Sequence, residues 1–378
     1  MITRDLRYAV RRALAAAGFP ADSDPGLRPT AVPGGYAASV ALTLGANPRE
    51  TAAALAAALA GEQWIAQVEV TGPGYLTVTV TPEALAAVAD NIATEGAACV
   101  TSDALTGETV PAAPPGDPLA ATTWEEARAA LAARLTARLA AAAGATVAEF
   151  AAPERNRLTP PVRPSSSDVA AAVAFAGRDA VTFTLARAVP GKPVRVDPEI
   201  IARHVLNNPA YAVRYAHARA ASGVRWAAAS SAADTIGSGE APQSLLADPP
   251  ELLVPAAGAD ILAVCAVGPG RRDIGGYGGS SRRGVAALLD ALSWLPERVA
   301  AAARRGRPDE FARYLEDLAS VTVDVLSSAS HPGSAAAPGS DRLTLAMAAR
   351  TGLAAGLGLL EVAAPERLLA ETYRGAKL

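Results

Sequence analysis

Two stretches of this chain, residues 94–121 and 153–167, consist largely of Gly, Ala, Thr, Pro and Ser and hold few large apolar side chains. Such composition punctuates regular structure rather than continuing it. It divides the 378 residues into blocks, and that length suits two or three structural units. No internal repeat at a fixed period subdivides the blocks further.

The first block, residues 1–93, reads as a compact α+β module. Ile2, Leu6, Val10 and Leu14 recur every four residues and predict an amphipathic opening helix. Tyr36 to Leu44 reads as a second helix. A third follows Asn47, with Pro48 at its first position and Glu50 in the capping-box position. Trp64, Ala66, Val68 and Val70 then alternate, as do Leu76, Val78 and Val80, which predicts two strands joined by the turn Gly72-Pro73-Gly74. Residues 94–167 read as a linker with one helix, capped at Thr122 or Thr123 and continued by Leu131, Leu135 and Leu139. Residues 168–199 form a reduced α/β middle segment in which Val181, Phe183 and Leu185 alternate as a short strand. From residue 200 to 378 the chain reads as an all-α helical bundle, interrupted by a Gly-rich basic loop from Gly268 to Gly284 and by a second loop from Pro332 to Gly339.

Composition narrows function mainly by exclusion. Hydrophobic residues make up 51%, aromatics only 4%, and the formal net charge is −3. A net negative chain has no global basic signature, so any nucleic-acid binding must come from local patches. Cys99 and Cys265 lie far apart, which suits neither a zinc site nor a disulfide framework and points to a reducing, cytoplasmic setting. The three histidines, at 204, 217 and 331, form no metal-ligand pattern. Gly268-Pro269-Gly270 is not followed by Gly-Lys-Ser/Thr, and Gly279-Ser280-Ser281 lacks the spacing of a nucleophile elbow. No apolar run reaches the ~18 residues a membrane span needs, so no membrane partner is expected. No cofactor is implied.

Two local features point to a polyanion. The first is the string from Asn208 to Arg219. Asn208 is placed to cap a helix whose first position is Pro209, and Tyr211 and Tyr215 fall four residues apart on one face. Tyr211, Tyr215 and His217 are candidates to stack on unpaired bases, and Arg214 and Arg219 to contact phosphates. The alternative is that the tyrosines and His217 are core. The arginines are the stronger expectation, with one tyrosine left to the core. The second feature is the basic loop. Nine arginines fall between Gly270 and Arg313 against five acids, a local excess of four positive charges. Arg271, Arg272, Arg282 and Arg283 carry its Gly-rich part and suit a phosphate backbone. The alternative is an ordinary solvated loop.

These strings resemble arginyl-tRNA synthetases. Asn208-Pro209-Ala210-Tyr211-Ala212-Val213-Arg214-Tyr215-Ala216-His217-Ala218-Arg219 is similar to the signature that opens the family's anticodon-binding domain. Tyr314-Leu315-Glu316-Asp317-Leu318-Ala319 and Ala364-Pro365-Glu366-Arg367-Leu368 resemble later pieces of that domain. At the other end, Gly34-Gly35-Tyr36-Ala37, Asn47-Pro48-Arg49-Glu50 and Gly72-Pro73-Gly74-Tyr75 resemble the family's N-terminal module, which implies tRNA-elbow contacts there and adds Tyr36 and Tyr75 to the candidate RNA-binding residues. Asp179 to Phe183 and Val194 to Asp197 resemble the end of the family's catalytic domain, so 168–199 is expected to be a remnant of it.

The family's chemistry uses a His-x-Gly-His motif and a lysine-bearing Lys-Met-Ser-Lys-Ser-like loop. The first histidine here is His204, and Ser165-Ser166-Ser167-Asp168 carries no lysine. The resemblance therefore implies a non-catalytic, synthetase-like tRNA-binding protein, with tRNA-Arg the first candidate and no catalytic residues. A protein partner, with the chain acting as a scaffold, is the alternative. Residual arginine–tRNA ligase activity is the weakest reading.

Overall fold

The computed structural model describes residues 1–44, 47–149, 168–194, 196–235, 280–328 and 339–368. The N-terminal part is an α+β layer pair. Helix α1 (Ile2–Ala16) buries Leu6, Val10 and Leu14, the predicted stripe. Four strands, β1 (Arg28–Pro29), β2 (Gly35–Ala38), β3 (Ile65–Thr71) and β4 (Tyr75–Val80), form an antiparallel sheet in the order β1-β2-β4-β3. Leu76, Val78 and Val80 of β4 are buried, as their alternation requires. Helices α2 (Ala41–Leu44), α3 (Pro48–Leu59) and α4 (Pro82–Glu95) complete the layer, with α3 on β3 and β4, and α1 on α3 and α4. The β3–β4 turn needs Gly74. Its φ is +140°, and a Cβ there would lie 2.8 Å from the Pro48 carbonyl oxygen.

Two expectations fail in this part. Gly35–Ala38 is a strand rather than the start of a helix, because its backbone pairs with β1 on one side and β4 on the other. Asn47 precedes α3, but its side chain makes no capping hydrogen bond.

The middle of the chain is better packed than its composition suggests. A 3-10 turn (Gly96–Val100) buries Cys99 and Val100, and a second (Pro118–Ala120) buries Leu119. Leu105 is also buried. The described part of the expected linker therefore carries buried residues of its own. Burial pushes the Cys99 thiol up to about 12. Strands β5 (Thr109–Val110) and β6 (Thr146–Val147) pair in parallel. Helix α5 (Trp124–Ala142) starts at the expected capping box: the Thr123 hydroxyl accepts from the Glu126 amide at 3.2 Å, and Glu126 accepts from the Thr123 amide at 3.2 Å. Helix α6 (Asp168–Ala176) precedes α7 (Arg178–Ala186). Val181, Phe183 and Leu185 lie on α7 and not on a strand. Thr182 and Ala186 are buried too, so burial extends round most of the helix and hides its period.

The C-terminal part is helical among the described residues. It comprises α8 (Pro198–Ile201), α9 (Pro209–Thr235), α10 (Ser280–Ser293), α11 (Leu295–Arg305), α12 (Pro308–Ser328) and α13 (Gly339–Leu359). Helix α9 packs on α12 and α13, α12 on α10 and α11, α5 on α11, and α7 on α9. Gly306, left-handed at φ +62°, ends α11. The expected loop at Pro332–Gly339 lies outside the described residues up to Gly339, where α13 starts.

The two ends of the chain meet directly. A single hydrophobic cluster runs from Met1 to Val362, and α4 packs on both α10 and α13. At the centre of the contact, Arg7 is 2% exposed. Its guanidinium reaches Glu297 at 2.6 Å and Asp24 at 2.9 Å. Asp24 is also 3.1 Å from Arg304. Burial would raise the Asp24 carboxyl, but Arg7 and Arg304 outweigh it and hold the group below its usual value. Beside them the Thr3 hydroxyl donates to the Ser293 carbonyl at 2.8 Å, and the Gly34 amide donates to Asp290 at 3.0 Å.

Removing one partner of a buried ion pair leaves the other charge uncompensated, at about 3–5 kcal/mol. Arg7→Met is therefore expected to lower unfolding free energy by that order in urea titrations. Arg7→Met combined with Glu297→Leu is expected to recover most of the loss, and a double variant no better than the single one would contradict the pairing.

Candidate nucleic-acid interface

The start of α9 is fixed by Asn208, whose buried side-chain amide donates to the carbonyls of Ile201 (2.8 Å) and Arg203 (2.7 Å). Asn208 thus ties the chain entering the helix to α8, and its backbone carbonyl accepts from the Ala212 amide. This anchoring places His204 against the first turn. The His204 and Tyr211 rings stack at 5.2 Å and 11°, and Tyr211 and Tyr215 at 5.9 Å and 26°. His204 is exposed, and both tyrosines are half-buried. Neither tyrosine belongs wholly to the core. Burial raises the Tyr211 hydroxyl, with a smaller contribution from Tyr215.

At ~100° per residue, residues 211, 215, 219, 222 and 226 fall within a helical stripe about 80° wide. Tyr211, Tyr215, Arg219 and Trp226 therefore share one side of α9. Trp226 is 59% exposed, and Arg219 is half-buried. At ~1.5 Å per residue the stripe runs for about 22 Å. A row of rings with an interspersed guanidinium is what a sequence-tolerant single-strand surface uses, since every base offers a π-face.

The other expected residues fall elsewhere. Arg214 lies off the stripe, 3.5 Å from Asp179 of α7, so part of its charge is answered within the protein. His217 is 1% exposed, and its Nδ1 donates to the Pro365 carbonyl at 2.9 Å. It is a packing residue joining α9 to the segment after α13, not a base contact. Tyr36 is likewise buried, because its ring stacks on Trp294 at 5.2 Å and its hydroxyl bonds Ser293 Oγ at 2.8 Å. It joins the two ends of the protein and is not available to an RNA. Tyr75 starts β4 at the hairpin and is 40% exposed. Arg282 and Arg283 occupy the first turn of α10 rather than the expected loop. Arg271 and Arg272 lie outside the described residues.

The sequence reading missed His204 and Trp226 as members of this surface. Trp226 was within reach, because the spacing from 215 through 219 and 222 continues to it. His204 was not, because its position depends on a non-helical connection. Among the described residues no cluster of His, Cys, Asp or Glu could hold a metal ion. No helix among them is long and apolar enough to cross a membrane.

The architecture is a helical bundle with an aromatic and cationic helix face, docked on a small α+β layer. Comparison with known proteins specifies it. The DALR anticodon binding domain matches residues 280–368, and the arginyl tRNA synthetase N terminal domain matches residues 4–80. The arginine–tRNA ligase of Micrococcus luteus is 30% identical over 205 residues, covering 52% of this chain and 30% of the relative. That of Frankia alni is 31% identical over 196 residues, covering 51% and 29%. The alignments thus span less than a third of these relatives' own length. The solved arginyl-tRNA synthetase of Thermus thermophilus aligns with 69% of this chain and 34% of its own, at 22% identity and a TM-score of 0.33. The chain is an arginyl-tRNA synthetase-related protein, with that family's N-terminal domain at one end and a DALR domain at the other. Helix α9 precedes the matched DALR residues and packs on α12 and α13 within them.

Burial lowers the His217 pKa below 6.5, and the hydrogen bond to Pro365 offsets this only in part. A base with a lowered folded pKa takes up its proton preferentially in the unfolded chain. Stability is therefore complete above pH 6.5 and falls as the pH drops through that value towards the lowered one. His217→Gln is expected to flatten melting temperature against pH between about 7 and 5. An unchanged slope would contradict this account of the histidine.

Proposed function

We propose that this protein binds tRNA through the C-terminal helical part and does not aminoacylate it. The observation that carries the reading is the partly exposed row of Tyr211, Tyr215 and Trp226 along α9, extended by His204 before the helix and packed beside the DALR helices. The rings supply stacking surfaces for unpaired bases, and Arg219 supplies a cation within the row. The N-terminal part contributes Tyr75 at the hairpin and, through its buried contact with α10 and α11, holds a fixed orientation to the bundle. The first RNA to test is tRNA-Arg, given the names of the relatives. A cytoplasmic setting suits that partner.

The loss of catalysis is supported by the sequence between the two matched ends. No histidine precedes His204, so a His-x-Gly-His motif is absent, and no lysine accompanies Ser165-Ser166-Ser167. Activation of arginine by ATP, in which the carboxylate attacks the α-phosphate and pyrophosphate leaves, depends on preorganised charges at the reacting phosphate, and the sequence lacks those motifs. The expected outcome is no arginine-dependent ATP–pyrophosphate exchange. Exchange clearly above a buffer blank would overturn this half of the proposal.

A second reading, a protein-binding scaffold, is favoured by one observation. Many described arginines already meet carboxylates, among them Arg134, Arg178, Arg187, Arg225 and Arg350. Binding data separate the two readings. Each stacked base contributes ~1–3 kcal/mol, so Tyr211→Ala is expected to weaken tRNA binding about 5- to 150-fold, while Tyr211→Phe keeps near-native affinity. Arg219→Ala should lower the salt slope by about one unit. A folded Tyr211→Ala, Tyr215→Ala double variant that binds tRNA like the wild type sinks the assignment. A wild-type protein with no tRNA affinity at low salt favours the scaffold.

A further inference from the structure

The connection that carries His204 also borders a cleft that the tRNA reading does not use. Its volume is about 420 Å³, and four cations line it: Arg187, Lys192, Arg203 and Arg313. No carboxylate is among the lining residues. Val189, Val194, Ile200 and Phe183 of α7 contribute the apolar lining. Arg187 is tied to Glu316, and Arg313 lies 3.9 Å from Asp309. Lys192 and Arg203 are exposed, and neither side chain has a partner among the described residues.

Both walls are held in place before any ligand arrives. On one side, the Arg128 guanidinium of α5 donates to the carbonyls of Val189 (3.0 Å) and Lys192 (3.2 Å), which fixes the loop after α7. On the other, buried Asn208 holds the carbonyls of Ile201 and Arg203. Prefixed walls lower the ordering loss on binding. The volume lies within the range of small-molecule sites, about 300–1,000 Å³.

We propose that this cleft binds a nucleoside phosphate, with the phosphate on Lys192 and Arg203 and the base against the apolar wall. The lining selects for both halves. A bare phosphate leaves the apolar wall uncovered, and a bare nucleoside leaves Lys192 and Arg203 facing no anion. The nucleotide is either free or part of an RNA strand, since the recognised chemistry is the same. The site stands independently of the tRNA reading.

The test is calorimetric titration of the full chain at low salt with AMP, adenosine and inorganic phosphate. AMP is expected to bind saturably at one site, with adenosine and phosphate each at least tenfold weaker. Lys192→Ala with Arg203→Ala is expected to weaken AMP at least tenfold without moving the melting temperature, because both side chains are exposed. Tyr211→Ala should leave AMP binding unchanged, which separates this site from the α9 stripe. Displacement of AMP by a 5′-phosphorylated oligonucleotide, but not by its unphosphorylated form, would assign the strand as the source. Failure of both to displace AMP would assign the free nucleotide. Either result supports the site. Absence of saturable AMP binding, equal binding of adenosine, or an unaffected double variant would overturn it.

Discussion

The arrangement of this protein depends on Arg7. Its guanidinium is almost wholly removed from water and answered by Glu297 of α11 and Asp24 of the N-terminal part. A buried cation is tolerated only with such partners in good geometry. The demand works in both directions: the N-terminal part must present Arg7 where α11 presents Glu297. Tyr36 on Trp294, Thr3 on Ser293 and Gly34 on Asp290 surround the same contact. Every one of these pairs joins residues within or beside the two family-matched segments. The two family-matched ends thus form one continuous core.

That junction also draws in the chain that follows α4. With α4 lying on α10 and α13, the turn that follows it is drawn into the same interface, and Cys99, Val100 and Leu105 are buried there. Helix α5 then lies along α11, and its Arg134 reaches Glu361 beyond α13 at 2.6 Å. The middle segment works as a clamp across the bundle. It carries Arg128 into position behind the 187–194 loop, which shapes the cationic cleft.

The sequence was most legible where periodicity was strict. The α1 stripe, the β4 alternation and the capping box at Thr123 all follow local rules, and all form as expected. Legibility failed where tertiary context set the structure. Phe183 alternates like a strand residue, but α7 is buried around most of its circumference, so period carried no information there. Gly35–Ala38 looked helical because its neighbours are small, and only pairing with β1 and β4 makes it a strand. At the candidate interface, the i, i+4 pair of Tyr211 and Tyr215 was readable. His204 was not, since Asn208 bonds to carbonyls five and seven residues back to bring it over Tyr211. Tyr36 and His217 were misread for one reason: aromatic side chains that match an RNA-contact motif serve equally well as packing between elements.

The central claim is that tRNA lies along the face of α9 that carries Tyr211, Tyr215 and Trp226. Photo-crosslinking of the purified protein to tRNA, with crosslinked peptides located by mass spectrometry, tests this most directly. The account predicts adducts concentrated between His204 and Trp226, lost in the presence of excess unlabelled tRNA. Specific adducts confined to other parts of the chain, or none at all under low-salt conditions, would contradict it.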